Sequence, residues 1–231
     1  MNEHVLVTDF SGVYGAEDFL LALQSQGAQV LRLDFRNLEG ACCYCDAEAV
    51  AEIGRSLPER LPRLRYLDSG DYHYMSHLLA LRESAPFHLV LLDHHPDNQA
   101  PALGEVLSCG GWVKAMREQN PLLRDVLTVG PEQEAQDVPQ QWLDARRGER
   151  VYVSLDKDIM DRAHARTNWS QGTHTLEQVK SMLARILESM EPVAADICGE
   201  CSENKGATPE DLRINKETNI EIYKFITTYL K

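Results

Sequence analysis

The chain has 231 residues, 43% of them hydrophobic and 26% charged, and a net charge of −13. That length suits one α/β domain with a sizeable core, a single unit over 1–231. The acidic balance argues against nucleic-acid or anionic-membrane partners. No apolar run reaches the about 18 residues of a membrane span. The run Val5-Leu6-Val7 ends at Asp9, too soon for a signal peptide. A cytoplasmic protein is expected, with its six cysteines mostly reduced.

In chain order, residues 5–10 read as a strand and 17–26 as a helix with Leu20, Leu21 and Leu23 turned inward. Residues 30–35 form a second strand, and Asp46 caps a helix over 46–56. A third strand at 64–67 leads into a helix through Met75, Leu78, Leu79 and Leu81. Strands at 88–92, 126–129, 151–155 and 193–197 bring the number to seven. The polar stretch 131–148 reads as a surface excursion, 175–188 as a helix by its period, and 219–230 as the last helix. Short strands alternating with helix-length segments specify βαβ units. The expected fold is a three-layer α/β/α domain on a mainly parallel sheet of about seven or eight strands.

Ligands of open α/β sheets sit beyond the carboxyl ends of the strands. After the fourth strand comes Asp93-His94-His95-Pro96-Asp97, whose alternation in an extended segment points positions 93, 95 and 97 one way. After the sixth comes Asp156-Lys157-Asp158, and after the third Asp68-Ser69-Gly70-Asp71-Tyr72-His73. His73, Asp93, His95, Asp97, Asp156 and Asp158 thus offer four carboxylates and two imidazoles at one sheet edge. Four converging anions repel unless a cation joins them, and bridging carboxylates suit a pair of divalent ions about 3.5–4 Å apart. The donor types favour Mn²⁺, with Zn²⁺, Fe²⁺ and Co²⁺ as alternatives.

These motifs resemble, in order over residues 64–200, those of the ureohydrolase superfamily: arginases, agmatinases and formiminoglutamases, and more distantly the histone-deacetylase-like amidohydrolases. Gly70-Asp71-Tyr72-His73 with Ser76 is similar to the family's Gly-Gly-Asp-His-Ser. Asp93-His94-His95-Pro96-Asp97 is similar to Asp-Ala-His-x-Asp, and residues 154–161 to Ser-x-Asp-x-Asp-x-x-Asp. Gly172-Thr173-His174-Thr175 resembles the Gly-Gly-Leu-Thr turn that opens the next helix. The resemblance implies an arginase/deacetylase-like fold and the same six metal ligands. It also implies hydrolysis of a C–N bond of amidino, guanidino or amide type in a small molecule. A hydroxide bridging the metals would attack an sp² carbon, with Asp97 orienting it and passing a proton to the leaving amine. Relatives often form trimers or hexamers, so a homo-oligomer is a further expectation.

Three departures bear on catalysis. Arginases carry a proton-shuttling His beyond the Asp-x-His-x-Asp segment, whereas residues 107–112 contain none, which leaves His94 as the nearest replacement or as a packing residue. Asp161 is followed by Arg162 where the family usually has Pro. Glu200 follows the last strand one residue later than the family's guanidinium-binding Glu. Such a shift turns a side chain to the opposite face unless a bulge at Gly199 restores it. Asn98 and Trp112 are candidate pocket residues, and Trp169 lies in a loop near the site, where an aromatic either walls a pocket or closes the core. Cys42-Cys43-x-Cys45 and Cys198-x-x-Cys201 form either a second, thiolate site or redox pair, or merely buried and rim thiols. A relative that keeps the fold for binding or regulation, and a two-metal phosphoesterase, are the competing functions.

Overall fold

The computed structural model describes residues 4–16, 18–101, 104 and 106–230. Glu17, read above as the start of the first helix, lies outside them. The elements run β1 (His4–Asp9), α1 (Val13–Ala16), α2 (Phe19–Ser25), β2 (Gln29–Asp34), β3 (Tyr44–Cys45), α3 (Ala47–Ser56) and β4 (Leu64–Tyr66). They continue α4 (Met75–Ala80), β5 (Phe87–Leu92), β6 (Leu107–Ser108), α5 (Trp112–Gln119), β7 (Leu123–Val129) and α6 (Gln140–Ala145). The last are β8 (Arg150–Asp156), α7 (Leu176–Ser189), β9 (Glu191–Cys198) and α8 (Pro209–Ile226).

Seven strands form one sheet in the order β2-β1-β4-β9-β8-β5-β7. Every pair in it is parallel. Because strand side chains alternate, each strand feeds both faces. Val5, Val7, Val153 and Leu155 pack against Val179, Leu183 and Ile222 of α7 and α8. Leu6, Leu89, Leu91 and Tyr152 pack against Ile53, Leu79 and Val113 of α3, α4 and α5. Strands apolar on both faces belong between two helical layers, the α/β/α arrangement expected from the sequence. Among the described residues no helix is long and apolar enough to cross a membrane.

The expected strands stand, with β7 starting three residues before the expected 126. The differences concern short or polar elements. The 131–148 excursion contains α6, and α8 begins ten residues before the expected 219. The first half of α8 is too polar for a periodicity signal. It is set instead by a capping box, Thr208 with Asp211, and by Pro209 in its first turn. A two-residue antiparallel ladder, β3 with β6, joins segments more than 60 residues apart.

α8 is tied to the strand ends by a buried ion pair. Lys157 Nζ, just past β8, donates to Glu200 Oε1 and, at 2.9 Å, to Asn219 Oδ1, while Asn219 Nδ2 donates to Glu200 Oε1 at 2.7 Å. All three side chains are buried. Removing one member of such a pair leaves the other charged and unmatched. Lys157→Met is expected to cost about 3–5 kcal/mol, read from urea unfolding midpoints. The double variant Lys157→Met, Glu200→Leu should recover much of that loss.

Candidate metal centre

β4, β9, β8 and β5 are adjacent at the middle of the sheet, so their carboxyl ends open on one place. The residues gathered there are presented by turns and not by the extended runs expected from alternation. Asp93 immediately follows β5, its N–H donating to Val129 O. The chain then bends: Asp93 Oδ1 accepts from His95 N at 2.6 Å, and Asp97 adopts a left-handed φ of 45°. Asp158 sits in a 3₁₀ turn after β8 whose cap is Asp156, Oδ1 accepting from Asp158 N at 2.9 Å. His73 follows a second 3₁₀ turn, Gly70–Tyr72. Asp93 and Asp156 therefore also cap the loops that carry them.

All six candidate ligands converge. His73 Nδ1 lies 3.3 Å from Asp93 Oδ2, 3.1 Å from Asp97 Oδ2 and 3.4 Å from Asp156 Oδ2. His95 Nδ1 lies 2.8 Å from Asp158 Oδ2 and 3.5 Å from Asp93 Oδ1. His73 and Asp156 form one donor group with Cys198, and two further groups, His73–Asp93–Asp97 and Asp93–His95–Asp158, complete the set, each with its donor atoms within 4.8 Å of one another. Asp93 belongs to the latter two. The far nitrogen of each imidazole is engaged: His73 Nε2 with Ser154 Oγ at 2.8 Å, and His95 Nε2 with Ser170 Oγ at 2.9 Å. Such outer contacts orient a ligand ring toward its metal.

Two glycines permit this packing. At Gly199, with φ of 91°, a Cβ would stand 2.2 Å from Asp156 Oδ1. At Gly70 a Cβ would stand 2.8 Å from the Trp169 ring and 3.3 Å from Asp156 Oδ2. Only glycine lets the backbone approach so closely.

Burial shapes the charges. It pushes the Asp97 carboxyl up to about 6 and that of Asp156 up to about 7, the Asp93 charge adding to both. Burial and the neighbouring Asp156 raise Asp158 well above the carboxylate range. Burial also opposes ionisation of Asp93, but hydrogen bonds from His73 and His95 outweigh it and hold Asp93 low. Hydrogen bonding to Asp158 and Asp93 lifts His95 to about 11. These protons and imidazolium charges balance buried anions that a divalent pair would otherwise balance. Four carboxylates and two imidazoles in three overlapping groups suit such a pair.

Above the ligands lies a cavity of about 300 Å³, walled by Cys43, Tyr44, Gln99, Ser108, Cys109 and Trp169. The other candidate residues are placed differently. Trp112 is fully buried behind the ligands, its ring 4.9 Å from that of His73 and its N–H donating to Asp97 Oδ2 at 2.6 Å. Asn98 is exposed, and its neighbour Gln99 lines the cavity instead. His94 sets its ring edgewise to His95, with Nδ1 near Gly172, outside the cavity lining. The N–H groups of Gly199 and Glu200 both donate to Asp68 O, a bulge-like turn. Glu200 nevertheless faces Lys157 and Asn219. Tyr44, Gln99, Ser108 and Cys109 were not candidate residues, because only the long-range β3–β6 pairing brings three of them over the centre.

The chain has the arginase-like fold of the ureohydrolases. Proclavaminate amidino hydrolase from Streptomyces clavuligerus superposes with a TM-score of 0.67 at 16% identity, over 97% of this chain and 91% of that one. A hypothetical agmatinase from Burkholderia thailandensis gives 0.65 at 16% identity, over 98% and 86%. Formimidoylglutamase from Bacillus subtilis gives 0.63 at 11% identity, over 99% and 88%. An uncharacterized protein of Thermotoga maritima is 28% identical over 204 residues, 85% of this chain and 80% of its own. No family model matches the chain.

Protons and divalent cations compete for the same atoms. The apparent affinity for Mn²⁺ should therefore climb as pH rises through 6 and 7, where Asp97 and Asp156 lose their protons. Calorimetric titration in buffers of different ionisation enthalpy should show proton release on binding. A flat affinity with no proton release across that range would contradict the assignment.

Proposed function

We propose that this protein is a metal-dependent hydrolase of a C–N bond, of amidino, guanidino or amide type, in a small molecule. The observation that carries the proposal is the sharing of Asp93 between two ligand groups at the floor of a 300 Å³ cavity. Two divalent cations, Mn²⁺ favoured by the donor set, would be held by His73, Asp93, His95, Asp97, Asp156 and Asp158. When bound, such cations would supply Lewis acidity, polarising the scissile group and lowering the pKa of water toward neutrality.

The protein's own groups supply the remainder. Asp97 is the carboxylate for proton handling: it lies at the cavity floor, and burial holds its carboxyl at about 6, near working pH. The Trp112 N–H donates to Asp97 Oδ2 and so orients the carboxylate that handles the proton. Trp169, Tyr44 and Cys109 give the substrate an apolar enclosure, and Gln99 and Ser108 give it neutral hydrogen-bonding groups. Glu200 is committed to Lys157 and works as a structural anchor. His94 and the exposed Asn98 take no part in proton transfer. The six unpaired cysteines support a reducing, cytoplasmic setting.

A panel of guanidino, formimino, ureido and acylamino compounds, assayed with the Mn²⁺-loaded protein, is expected to reveal metal-dependent amine or ammonia release. Asp97→Asn should lower kcat by about 10²-fold or more with metal still bound. Asp156→Ala should lose both metal and turnover, and His94→Ala should keep most of the activity. Full turnover in Asp97→Asn would overturn the role given to Asp97. Absence of turnover from fully loaded wild-type protein across the panel would overturn the hydrolase proposal.

A further inference from the structure

The wall of the cavity carries a second cluster of metal-binding atoms, chemically unlike the first. Cys42 and Cys43 immediately precede β3, and Cys43 is held at a left-handed φ of 58° with its N–H donating to Asp71 O at 3.1 Å. That backbone is costly for a residue other than glycine and persists only where the surroundings impose it. It sets the two neighbouring sulfurs 4.0 Å apart and Cys43 Sγ 3.4 Å from Asp71 Oδ1. All three donor atoms lie within 4.8 Å of one another.

Those spacings can be compared with a coordination polyhedron. Tetrahedral zinc, with Zn–S of about 2.3 Å and Zn–O of about 2.0 Å, has S–S edges of about 3.8 Å and S–O edges of about 3.5 Å. The observed 4.0 Å and 3.4 Å agree with those edges to within about 0.2 Å. Asp71 Oδ1 also accepts from Trp169 Nε1 at 3.0 Å, which leaves a second lone pair on that oxygen for a cation. Lys205 Nζ, half-exposed, stands 3.6 Å from Asp71 Oδ2 and covers the other oxygen. Three protein donors leave one tetrahedral position for water or a bound molecule.

We propose that Cys42, Cys43 and Asp71 form a separate thiolate site for a zinc-class divalent cation at the cavity wall. Each thiol releases its proton to solvent as the cation binds. The two centres sort cations by donor softness: thiolates take the softer ion, while the carboxylate–imidazole centre accepts harder ones. Cys43 and Trp169 both line the cavity, and Asp71 touches both side chains. A cation held there narrows the approach to the centre below and ties the Trp169 loop to the wall.

The test is a Co²⁺ titration of the full chain under reducing conditions. Thiolate ligation gives a near-ultraviolet charge-transfer band that carboxylate and imidazole ligation does not. One equivalent per chain should develop that band, and Zn²⁺ should bleach it. Cys42→Ser and Cys43→Ser should each abolish or sharply weaken it, while Cys201→Ser should leave it intact. Cys42 is exposed, so Cys42→Ser decides the question even if Cys43→Ser fails to fold. Cobalt uptake by the wild type without the band, or an undiminished band in Cys42→Ser, overturns the proposal. Cys198 Sγ lies within 4.8 Å of donor atoms of His73 and Asp156, so the wall site is read from loss of the band in Cys42→Ser, a residue outside the six-ligand centre, and that loss is independent of the proposed hydrolysis.

Discussion

Everything at the carboxyl edge of the sheet answers to one constraint: Asp93, Asp97, Asp156 and Asp158 are buried within a few ångströms of one another. Mutual repulsion and desolvation both oppose four charges there. The fold meets this with donors drawn from its own turns. His94 N and His95 N serve Asp158 and Asp93, Asp158 N serves Asp156, and the Trp112 indole serves Asp97. Two imidazoles and the raised pKa values of three carboxyls absorb the remainder. The loops are thus folded by the anions they carry, so a cation filling the site would replace protons and leave the backbone donors in place.

The same edge holds a further buried carboxylate, Glu200, which is handled separately. Its partner is Lys157, the residue between two of the candidate ligands, so a single 3₁₀ turn sends Asp156 and Asp158 toward the cavity and Lys157 away from it. Alternation about that turn keeps a buried cation out of the centre while stabilising the anion behind it. A cationic guanidinium in the cavity would meet no assistance from Glu200.

Much of this was legible in the sequence because the informative residues follow strands. Apolar runs located the seven strands of the sheet, and rare acidic and imidazole residues directly after three of them marked the centre. The local geometry was not legible. Alternation predicted an extended 93–97 segment, whereas the side-chain hydrogen bond from Asp93 and the left-handed Asp97 produce a bend that reaches the same convergence. Short elements such as α6 and the polar start of α8 carry too little periodicity, although the Thr208-Pro209 start was available as a capping signal. Trp112 and Asn98 show why neighbours of a motif are hard to assign. One residue of displacement separates the exposed Asn98 from the cavity-lining Gln99, and α5 buries Trp112 behind the ligands it supports.

The cavity walls were the least legible part, for a topological reason. The floor comes from the ends of adjacent strands, whose register is set by the core packing on both faces of the sheet. The walls come from residues 43–44, 99, 108–110 and 169, brought together by a two-residue ladder and by side-chain contacts to Asp71. No periodic pattern encodes such contacts, and loops on a rigid scaffold tolerate change far better than strand ends do. The division places the candidate ligands at the ends of the sheet strands and the cavity walls on the loops. It also places two cysteines, Cys43 and Cys109, on the loop-built wall of the cavity.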